Sequence, residues 1–446
     1  MYLDVPVADS CKLVIMAFET YVISWNLTKR CNLRCSHCYL DASFLTGDVV
    51  DELSSAECRK LIDQMAEVNP HACLILTGGE PLLREDIYEI ASYANDKGFM
   101  VVMGTNGLLL NDATVPKMLD AGIKGIGVSL DSIHPETHDR LRGLSGSWEK
   151  AIKGIEAAKK YNLAFQIQTT VTKDNYDEIP KMIDFAHKLR ATGFYLFFLV
   201  CTGRGEKMTD ITPEQYEEVL SYVYKVHGNY NGMMVRAKCA PHFKRIAYQM
   251  DKNSPLLKGY VGGCRAGTNY CRITPGGDIT PCPYMPNSVG NVKVTNFKEI
   301  WHDAGLFQQF RYPKYEGKCE YCEFKLLCGG CRARALAVNS NAFGEDPWCN
   351  YEPVKGNTHV INIATAIQFG LENESSQEDK NNNKGFSWTP EAQERLKKIP
   401  FFARGIAKQG LEKHALENSI KLITPELMDE LRSKFADSFG GRFTKK

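Results

Sequence analysis

The segment CNLRCSHCY places three cysteines, Cys31, Cys35 and Cys38, directly after an apolar run. A closed structural zinc site uses four ligands, and a cubane of four irons also takes four terminal ligands. Three thiolates around such a cubane would leave one iron open to the amino and carboxylate groups of a small molecule. The spacing therefore predicts a metal centre with one exchangeable position. A zinc knuckle or a chance spacing is the alternative.

Further glycines and polar residues follow other apolar runs. The segment LTGGEPL contains Gly78 and Gly79, which permit close approach of the backbone to a ligand, and Glu80, whose carboxylate can accept hydrogen bonds from an ammonium group. Polar residues that could bind ribose hydroxyls or an amino-acid head group are Asn106, Ser129 and Asp131. Arg142 could pair with a carboxylate. Asn106, Ser129 and Asp131 could instead be ordinary helix caps.

Six short apolar runs alternate with helix-like stretches between residues 22 and 200. The runs are YVISWNLT, CLILT, FMVVMGTN, GIGVSLD, AFQIQTTVT and FYLFFLV. Such alternation predicts parallel βα units whose strands are buried on both faces. The pattern leaves open whether the sheet is doubly wound or a partial barrel. In a βα barrel the carboxyl ends of the strands share one face, so we expect the candidate residues to converge there.

The chain has 16 cysteines, which is many for a protein of a reducing compartment. Eight of them form a second group: Cys264, Cys271, Cys282, Cys319, Cys322, Cys328, Cys331 and Cys349. This region is rich in glycine and proline, and we expect metal rather than a large core to hold it together. The isolated cysteines are predicted to be small buried apolar residues: Cys11, Cys58, Cys73, Cys201 and Cys239.

Composition limits the class of protein. With 446 residues the chain should form two or three domains, and 54 basic against 53 acidic residues give no general attraction to nucleic acid. The apolar stretch LVIMAF is too short for the apolar region of a signal peptide and no small-residue cleavage site follows it, and no run approaches the length of a membrane span. We expect a cytoplasmic protein that neither spans a membrane nor binds nucleic acid.

The first cysteine group and the glycine-glutamate segment together resemble the radical S-adenosylmethionine (radical SAM) enzymes. Their cysteine signature stands here as Cys31, Cys35 and Cys38, and their glycine-glycine-glutamate-proline motif begins at Gly78. The resemblance implies a partial (β/α)6 barrel. It also implies a [4Fe-4S] cluster whose open iron binds S-adenosylmethionine, and a 5′-deoxyadenosyl radical formed with an electron from a donor such as ferredoxin or flavodoxin. His37 would pack its ring over the cluster.

The second cysteine group resembles the SPASM extension, which carries auxiliary iron–sulfur clusters. By that analogy one cluster would use Cys264, Cys271, Cys282 and Cys331. The other would use Cys319, Cys322, Cys328 and Cys349. Two residues rather than the usual three separate Cys328 from Cys331, so the pairing stays open. Two zinc sites of four thiolates each are the alternative.

Two resemblances favour a tetrapyrrole as the substrate. ISWNLTKRCNLRCSHCYLDA and CRAGTNYCRITPGGDITPCPY resemble radical enzymes of heme d1 and alternative heme biosynthesis. The tail from Trp388 resembles the small carboxy-terminal domain of the light-independent protochlorophyllide reductase B subunit, although a helical lid or docking module is the alternative. We therefore predict decarboxylation or removal of a tetrapyrrole side chain. A peptide maturase and an iron–sulfur electron carrier or structural zinc protein remain the other hypotheses.

The resulting prediction is an α/β fold, a partial (β/α)6 TIM-like barrel with a cysteine-rich iron–sulfur domain and a small all-α carboxy-terminal domain. Its parts are a radical SAM core at 1–210, a helical connector at 211–257, a SPASM-like domain at 258–355, a helical or disordered linker at 356–386 and the reductase-like domain at 387–446. Arginines that could meet carboxylates of a macrocycle, or could equally be surface charges, are Arg204, Arg236, Arg265, Arg272, Arg332 and Arg334.

Overall fold

The computed structural model describes residues 21–44, 51–208, 211–257, 263–361, 386–397, 411–412, 414–415, 418 and 420–430. The chain divides into two compact units, Met1–Phe369 and Gly370–Lys446. The apolar stretch LVIMAF and most of the predicted linker lie outside the described residues. Among the helices described, none has both the length and the apolar character needed to cross a membrane.

One large sheet organises the first unit. The strands of this unit are β1 (Val22–Asn26), β2 (Arg30–Cys31), β3 (Ser43–Phe44), β4 (Cys73–Thr77), β5 (Met100–Thr105), β6 (Ile126–Ser129), β7 (Phe165–Val171), β8 (Gly193–Phe198), β9 (Met234–Lys238), β10 (Tyr270–Ile273), β11 (Asp278–Thr280) and β12 (Gly290–Asn291). Ten of them form a sheet in the order β12-β11-β10-β1-β4-β5-β6-β7-β8-β9, and β2 pairs with β3. All neighbours from β10 to β9 are parallel.

The six strands predicted from apolar runs are confirmed as β1 and β4 to β8. The helices of this unit are α1 (Ser55–Val68), α2 (Ile87–Asp96), α3 (Thr114–Asp120), α4 (Pro135–Arg142), α5 (Ser147–Lys160), α6 (Ile179–Lys188), α7 (Pro213–Val226), α8 (His242–Met250), α9 (Phe297–Asp303), α10 (Gly305–Arg311) and α11 (Arg332–Asn339). The helices that alternate with these six strands complete the predicted partial (β/α)6 barrel. Parallel strands covered by helices are buried on both faces, which explains their continuous apolar sequences.

Capping residues set where several helices begin. Ser54 and Glu57 form a reciprocal capping box at the start of α1. Thr212 and Gln215 do the same for α7, whose first residue is Pro213, as the segment ITPEQYEEV predicted. These local bonds satisfy backbone N–H groups that have no partner within the helix.

Two parts of the sheet differ from the prediction. The connector at 211–257 was expected to be helical, but it contains β9, which pairs with β8. The cysteine-rich region contributes β10 to β12, and β10 lies beside β1. Its side chains Ile273, Ile279 and Trp301 are completely buried in the main core. Apolar packing therefore anchors part of this region, where metal rather than a large core had been expected to hold it together. Local sequence patterns miss such pairing between distant segments.

The second unit contains β13 (Ser387–Trp388), α12 (Pro390–Lys397) and β14 (Leu422–Ile423) among its described residues. Its apolar core comprises Phe386, Ala392, Leu396, Leu411, Ala415, Ile423 and Met428. The hydroxyl of Thr389 accepts a hydrogen bond from the Ala392 amide at 3.2 Å and caps α12. The unit was predicted to be all-α, and the parallel pair of two-residue strands is an addition too short to show as an apolar run.

Candidate active site

The three cysteines of the first group lie together after β1. Cys31 ends β2, and Cys35 and Cys38 lie in the loop that follows. Their side chains share one apolar cluster with Leu33, Leu40, Ala42, Leu108 and Leu144. Burial, together with smaller contributions from Glu80 and the neighbouring thiols of Cys35 and Cys38, raises the pKa of Cys31 to about 12. The structure therefore brings these three predicted ligands together.

The end of α4 holds this cysteine loop from one side. The amide of Ser36 donates to the carbonyl of Leu141 at 2.9 Å, and the amide of Arg34 donates to the carbonyl of Arg142 at 3.2 Å. Gly143 ends the helix in the left-handed region with φ of 71°. A Cβ at Gly143 would lie 2.5 Å from the carbonyl oxygen of Arg34, so only glycine permits this close approach.

Arg204 holds the same loop from the other side. Its Nε donates to the carbonyl of Cys35 at 3.0 Å, and its Nη1 donates to the carbonyl of Ala42 at 2.8 Å. Its amide donates to the carbonyl of Cys38 at 3.0 Å. A Cβ at Gly203 would lie 2.6 Å from that carbonyl oxygen. The guanidinium of Arg204, considered above for a macrocycle carboxylate, here holds the cysteine loop.

The glycine-glutamate segment runs directly alongside the chain that leads to Cys31. The amide of Gly79 donates to the carbonyl of Thr28, and the amide of Glu80 donates to the carbonyl of Arg30, both at 2.8 Å. A Cβ at Gly79 would lie 2.0 Å from the Arg30 carbonyl oxygen, and one at Gly78 would lie 2.5 Å from that of Thr28. In this structure the two glycines permit approach of backbone to backbone. Their predicted approach to a ligand stays a prediction.

Glu80 is a fully buried carboxylate. It accepts hydrogen bonds from the hydroxyl of Thr105 at 2.9 Å, the amide of Asn106 at 2.9 Å and the amide of Leu82 at 3.3 Å. Burial raises its pKa to about 7, although these donors oppose the rise. The side-chain amide of Asn106 lies 4.0 Å from the Cys31 Sγ. Glu80 and Asn106 are thus linked to each other and to the cysteine group.

A buried ion pair lies behind Cys35. The Nε of Arg142 is 2.8 Å from the Oδ2 of Asp131, and Nη1 of Arg142 is 3.9 Å from the Cys35 Sγ. The amide of Thr170 donates to the other carboxylate oxygen at 2.9 Å. Burial opposes ionisation of Asp131, but the charge of Arg142 holds its pKa below the ordinary value. The carboxylate with which Arg142 pairs is therefore that of Asp131.

His37 completes this group, and Ser129 lies nearby in sequence. The Nε2 of His37 is 3.6 Å from Asp131, and burial lowers the pKa of His37 to about 4, so the ring is neutral at pH 7. Among the described residues, none hydrogen-bonds to its buried Nδ1. Ser129 ends β6 and is half-buried. The predicted ligand contacts of Ser129 and Asp131 stay predictions.

The first group of thiols fits an iron–sulfur cluster by its donor chemistry. Thiolates are the usual ligands of such clusters, and N–H donors to their sulfurs tune the potential. The amide of Leu33 donates to the Cys31 Sγ at 3.4 Å. Within the described ranges, no three Cys, His, Asp or Glu side chains converge on a single metal ion. Each thiolate of a cubane binds a different iron, so a cubane does not require such convergence.

The second group of cysteines separates into two sets and one outlier. Cys264, Cys282 and Cys331 pack in a common apolar cluster. Cys271, which was grouped with them above, instead lies in the main core. The other set comprises Cys319, Cys322, Cys328 and Cys349. Burial raises the pKa of Cys322 to about 11, and the thiols of Cys319 and Cys349 add to this rise, so these side chains are neighbours.

Aromatic side chains connect the first and second cysteine groups. The rings of Tyr39 and Tyr284 meet edge to face, with centroids 5.3 Å apart. Tyr39 follows Cys38 in sequence, and the amide of Tyr284 donates to the Cys282 Sγ at 3.3 Å. The hydroxyl of Tyr39 accepts a hydrogen bond from the side-chain amide of Asn26 at 3.0 Å. The two cysteine groups are therefore joined by direct ring packing.

Several arginines considered for carboxylate binding have partners within the protein. Arg272 donates to the carbonyl of Pro283 at 3.0 Å, and Arg332 donates to that of Gly344 at 2.7 Å. Arg334 pairs with the buried carboxylate of Asp346. These three side chains stabilise the cysteine-rich region from inside.

Comparison with known proteins defines the class. Residues 25–186 match the Radical SAM superfamily, and residues 264–323 match the SPASM iron-sulfur cluster-binding domain. Residues 388–432 match the family described as proto-chlorophyllide reductase 57 kD subunit. The chain belongs to the radical SAM superfamily and carries a SPASM domain.

The similar curated proteins include enzymes named for heme synthesis. The chain is 39% identical over 352 residues to the AdoMet-dependent heme synthase of Methanosarcina barkeri, which covers 77% of this chain and 100% of that protein. It is 30% identical over 350 residues to the pre-heme d1 synthase of Dinoroseobacter shibae, covering 74% and 85%. Streptococcus suis SuiB bound to S-adenosylmethionine has a similar fold, with a TM-score of 0.61, 19% identity and coverage of 75% and 78%.

Sequence reasoning missed the residues that support the cysteine loop. Gly143 directly follows Arg142 and ends α4, which a helix C-cap pattern could have indicated. The contacts of Gly203 and Arg204 depend on the fold, because the loop after β8 and the cysteine loop are far apart in sequence. Cys239 was counted among the isolated cysteines, but its carbonyl accepts a hydrogen bond from the buried side chain of Arg334.

Proposed function

We propose that this protein reductively cleaves S-adenosylmethionine and uses the 5′-deoxyadenosyl radical to decarboxylate or remove a side chain of a tetrapyrrole in heme or heme d1-type biosynthesis. The similarity to the Methanosarcina barkeri heme synthase, which extends over that protein's full length, carries this proposal. The buried cysteine group, with Glu80 and Asn106 beside it, supports the first half of the reaction.

Each part of the site has a proposed role. Cys31, Cys35 and Cys38 would hold a [4Fe-4S] cluster, which when bound would supply the electron that cleaves S-adenosylmethionine. Glu80 would accept hydrogen bonds from the ammonium group of S-adenosylmethionine, because its buried carboxylate is stabilised by a nearby cation. Residues proposed to position the remaining parts of the molecule are Gly78, Gly79, Asn106, Ser129, Asp131 and Arg142. Asp131 would act through Arg142, with which it is paired.

For a propionate side chain, the proposed substrate step is an oxidative decarboxylation. The 5′-deoxyadenosyl radical would remove a hydrogen atom from the carbon attached to the macrocycle, which would give 5′-deoxyadenosine and a substrate radical. Loss of carbon dioxide and one electron from that radical leaves a vinyl group. We propose that two auxiliary clusters in the SPASM domain accept this electron, and that a ferredoxin or flavodoxin supplies the first one.

The proposed location is the cytoplasm. All cysteines among the described residues are free thiols, including several outside the two groups, which is typical of a reducing compartment. Such a compartment also contains low-potential electron donors.

An anaerobic turnover assay tests the proposal. Purified protein with S-adenosylmethionine, a reductant and either a siroheme-derived tetrapyrrole or coproporphyrin should form 5′-deoxyadenosine and a tetrapyrrole that has lost carbon dioxide or a whole side chain. Mass spectrometry identifies both products. A mass change in a peptide substrate, with the tetrapyrroles unchanged, would contradict the proposed substrate. Absence of 5′-deoxyadenosine with every substrate would contradict the radical reaction itself.

A further inference from the structure

The cysteine cluster of Cys264, Cys282 and Cys331 contains three thiols where a fully ligated cubane needs four. The SPASM resemblance supplied Cys271 as the fourth. The strand geometry around Cys271 opposes that assignment, and a different cysteine lies at the site.

Cys271 belongs to the second position of β10, and side chains of a strand alternate between its two faces. Its neighbour Tyr270 packs with the cluster of Cys264 and Cys282. Cys271 must therefore point to the opposite face. Because β10 is parallel to β1, the register of the sheet shows what lies on that face.

Cys271 is aligned with Ile23 of β1, which is aligned with Leu74 of β4 and, through it, with Val101 of β5. All four side chains are completely buried in the main core. This row of apolar side chains continues across four strands. Cys271 is thus one member of a packed layer, and a metal cluster has no place there.

Cys239 follows β9 and is connected to Cys331 by a buried network. The Nη2 of Arg334 donates to the carbonyl of Cys239 at 3.1 Å, and the Nη1 of Arg334 is 3.0 Å from Asp346. The same carboxylate accepts a hydrogen bond from the amide of Cys331 at 2.6 Å. The side chains of Arg334 and Asp346 are 2% and 0% exposed, so this network fixes the two cysteine backbones relative to each other.

The backbone of Cys239 has an unusual conformation, with φ of 56°. This left-handed region costs energy for a residue with a Cβ, and such residues persist where the surroundings require them. Burial raises the pKa of Cys239, and the charges of Cys331 and Cys264 raise it further, which agrees with three thiols in close proximity. The thiol of Cys239 therefore lies near those of Cys331 and Cys264.

The geometry points to Cys239, in place of Cys271, as the fourth thiol ligand of the auxiliary cluster held by Cys264, Cys282 and Cys331. This inference rests on the auxiliary clusters of the proposed function. It assigns a ligand from the end of the barrel sheet to a cluster of the SPASM domain, so that the cluster would connect the two regions covalently.

The test uses the full chain with Cys31, Cys35 and Cys38 replaced by alanine as the parent protein, so that only auxiliary clusters contribute. Iron and sulfide per chain and the electron paramagnetic resonance (EPR) spectrum after reduction are measured on anaerobically reconstituted protein. Adding Cys271→Val preserves apolar volume and should leave both readouts at the parent values. Adding Cys239→Ala should remove about four irons per chain or change the EPR signal of one cluster.

The variant Cys239→Ser distinguishes loss of a ligand from a folding defect, because serine is similar in size to cysteine and offers an oxygen ligand. We expect this variant to show a shifted EPR signal and a native far-UV circular dichroism spectrum. Parent iron content and an unchanged spectrum in both Cys239 variants would overturn the inference. Iron loss in a folded Cys271→Val variant would also overturn it. A parent protein without iron would overturn the auxiliary clusters themselves, and this outcome is distinct from failure of the ligand assignment.

Discussion

The ion pair of Asp131 and Arg142 allows a quantitative prediction for the variant Asp131→Asn. The side chains are 0% and 9% exposed, and their charged atoms are 2.8 Å apart. At an effective dielectric constant of about 20, this distance corresponds to an attraction of about 6 kcal/mol. The substitution keeps an oxygen that can accept from the amide of Thr170, so the main loss is the charge.

Removing the carboxylate leaves a buried guanidinium without its counterion. We expect the free energy of unfolding to fall by about 3–5 kcal/mol, which is the usual cost of breaking a buried pair from one side. The matched control is Asp174→Asn, because Asp174 pairs with Arg140 of the same helix at the same 2.8 Å. The side chain of Arg140 is 60% exposed, so loss of this pair should lower the free energy of unfolding by less than about 1 kcal/mol.

Urea denaturation of both variants and the unsubstituted protein, followed by far-UV circular dichroism, gives the two free-energy differences when the slopes are equal. The reasoning is refuted if Asp131→Asn costs no more than Asp174→Asn. A stable Asp131→Asn variant that fails to bind S-adenosylmethionine would show that Asp131 is needed for binding and not for stability.

Three further predictions follow from the same site. Glu80 has a pKa of about 7 in the folded protein, above its unfolded value, so the free protein should lose stability as pH rises from about 4.5 to 7. The stability of Glu80→Gln relative to the unsubstituted protein should therefore increase by about 3 kcal/mol over that range, and equal pH profiles in denaturation experiments would contradict this. Gly79→Ala should lose iron from the first cluster, because its Cβ would lie 2.0 Å from the Arg30 carbonyl oxygen. The control Gly228→Ala should retain the iron, because a Cβ at that position has no atom within 4 Å. Equal iron contents in the two variants would be evidence against the close approach of Gly79 to Arg30. Cys35→Ala should abolish 5′-deoxyadenosine formation and leave iron in the second cysteine group, and a variant that still cleaves S-adenosylmethionine would contradict the assignment of the first group.

Local chemistry explains why much of the fold and site could be predicted. The apolar runs of the six barrel strands are continuous because parallel strands are buried on both faces, and this property is visible in the sequence. The spacing of Cys31, Cys35 and Cys38 is similarly local. The three cysteines lie close to the glycine-glutamate segment because the two segments follow the neighbouring strands β1 and β4.

The faces and partners of individual side chains could not be predicted in the same way. Tyr270 and Cys271 were known to be adjacent, but which of them faces the cysteine cluster depends on the pairing of β10 with β1. The ion pair of Asp131 with Arg142 joins the end of one strand to the end of the following helix, and its geometry depends on how that helix packs. Sequence spacing contains neither kind of information.

The parallel pairing of β10 with β1 has a consequence for synthesis on the ribosome. β1 is synthesised well before β10, so the edge of β1 that pairs with β10 has no partner until β10 emerges. At about 5–20 residues per second, the chain between Asn26 and Tyr270 takes about 12–50 s to emerge. During that interval a buried-type strand exposes unpaired N–H and C=O groups, which can pair with other nascent chains. Helper proteins that shield this edge would therefore raise the yield of correctly assembled enzyme during overexpression.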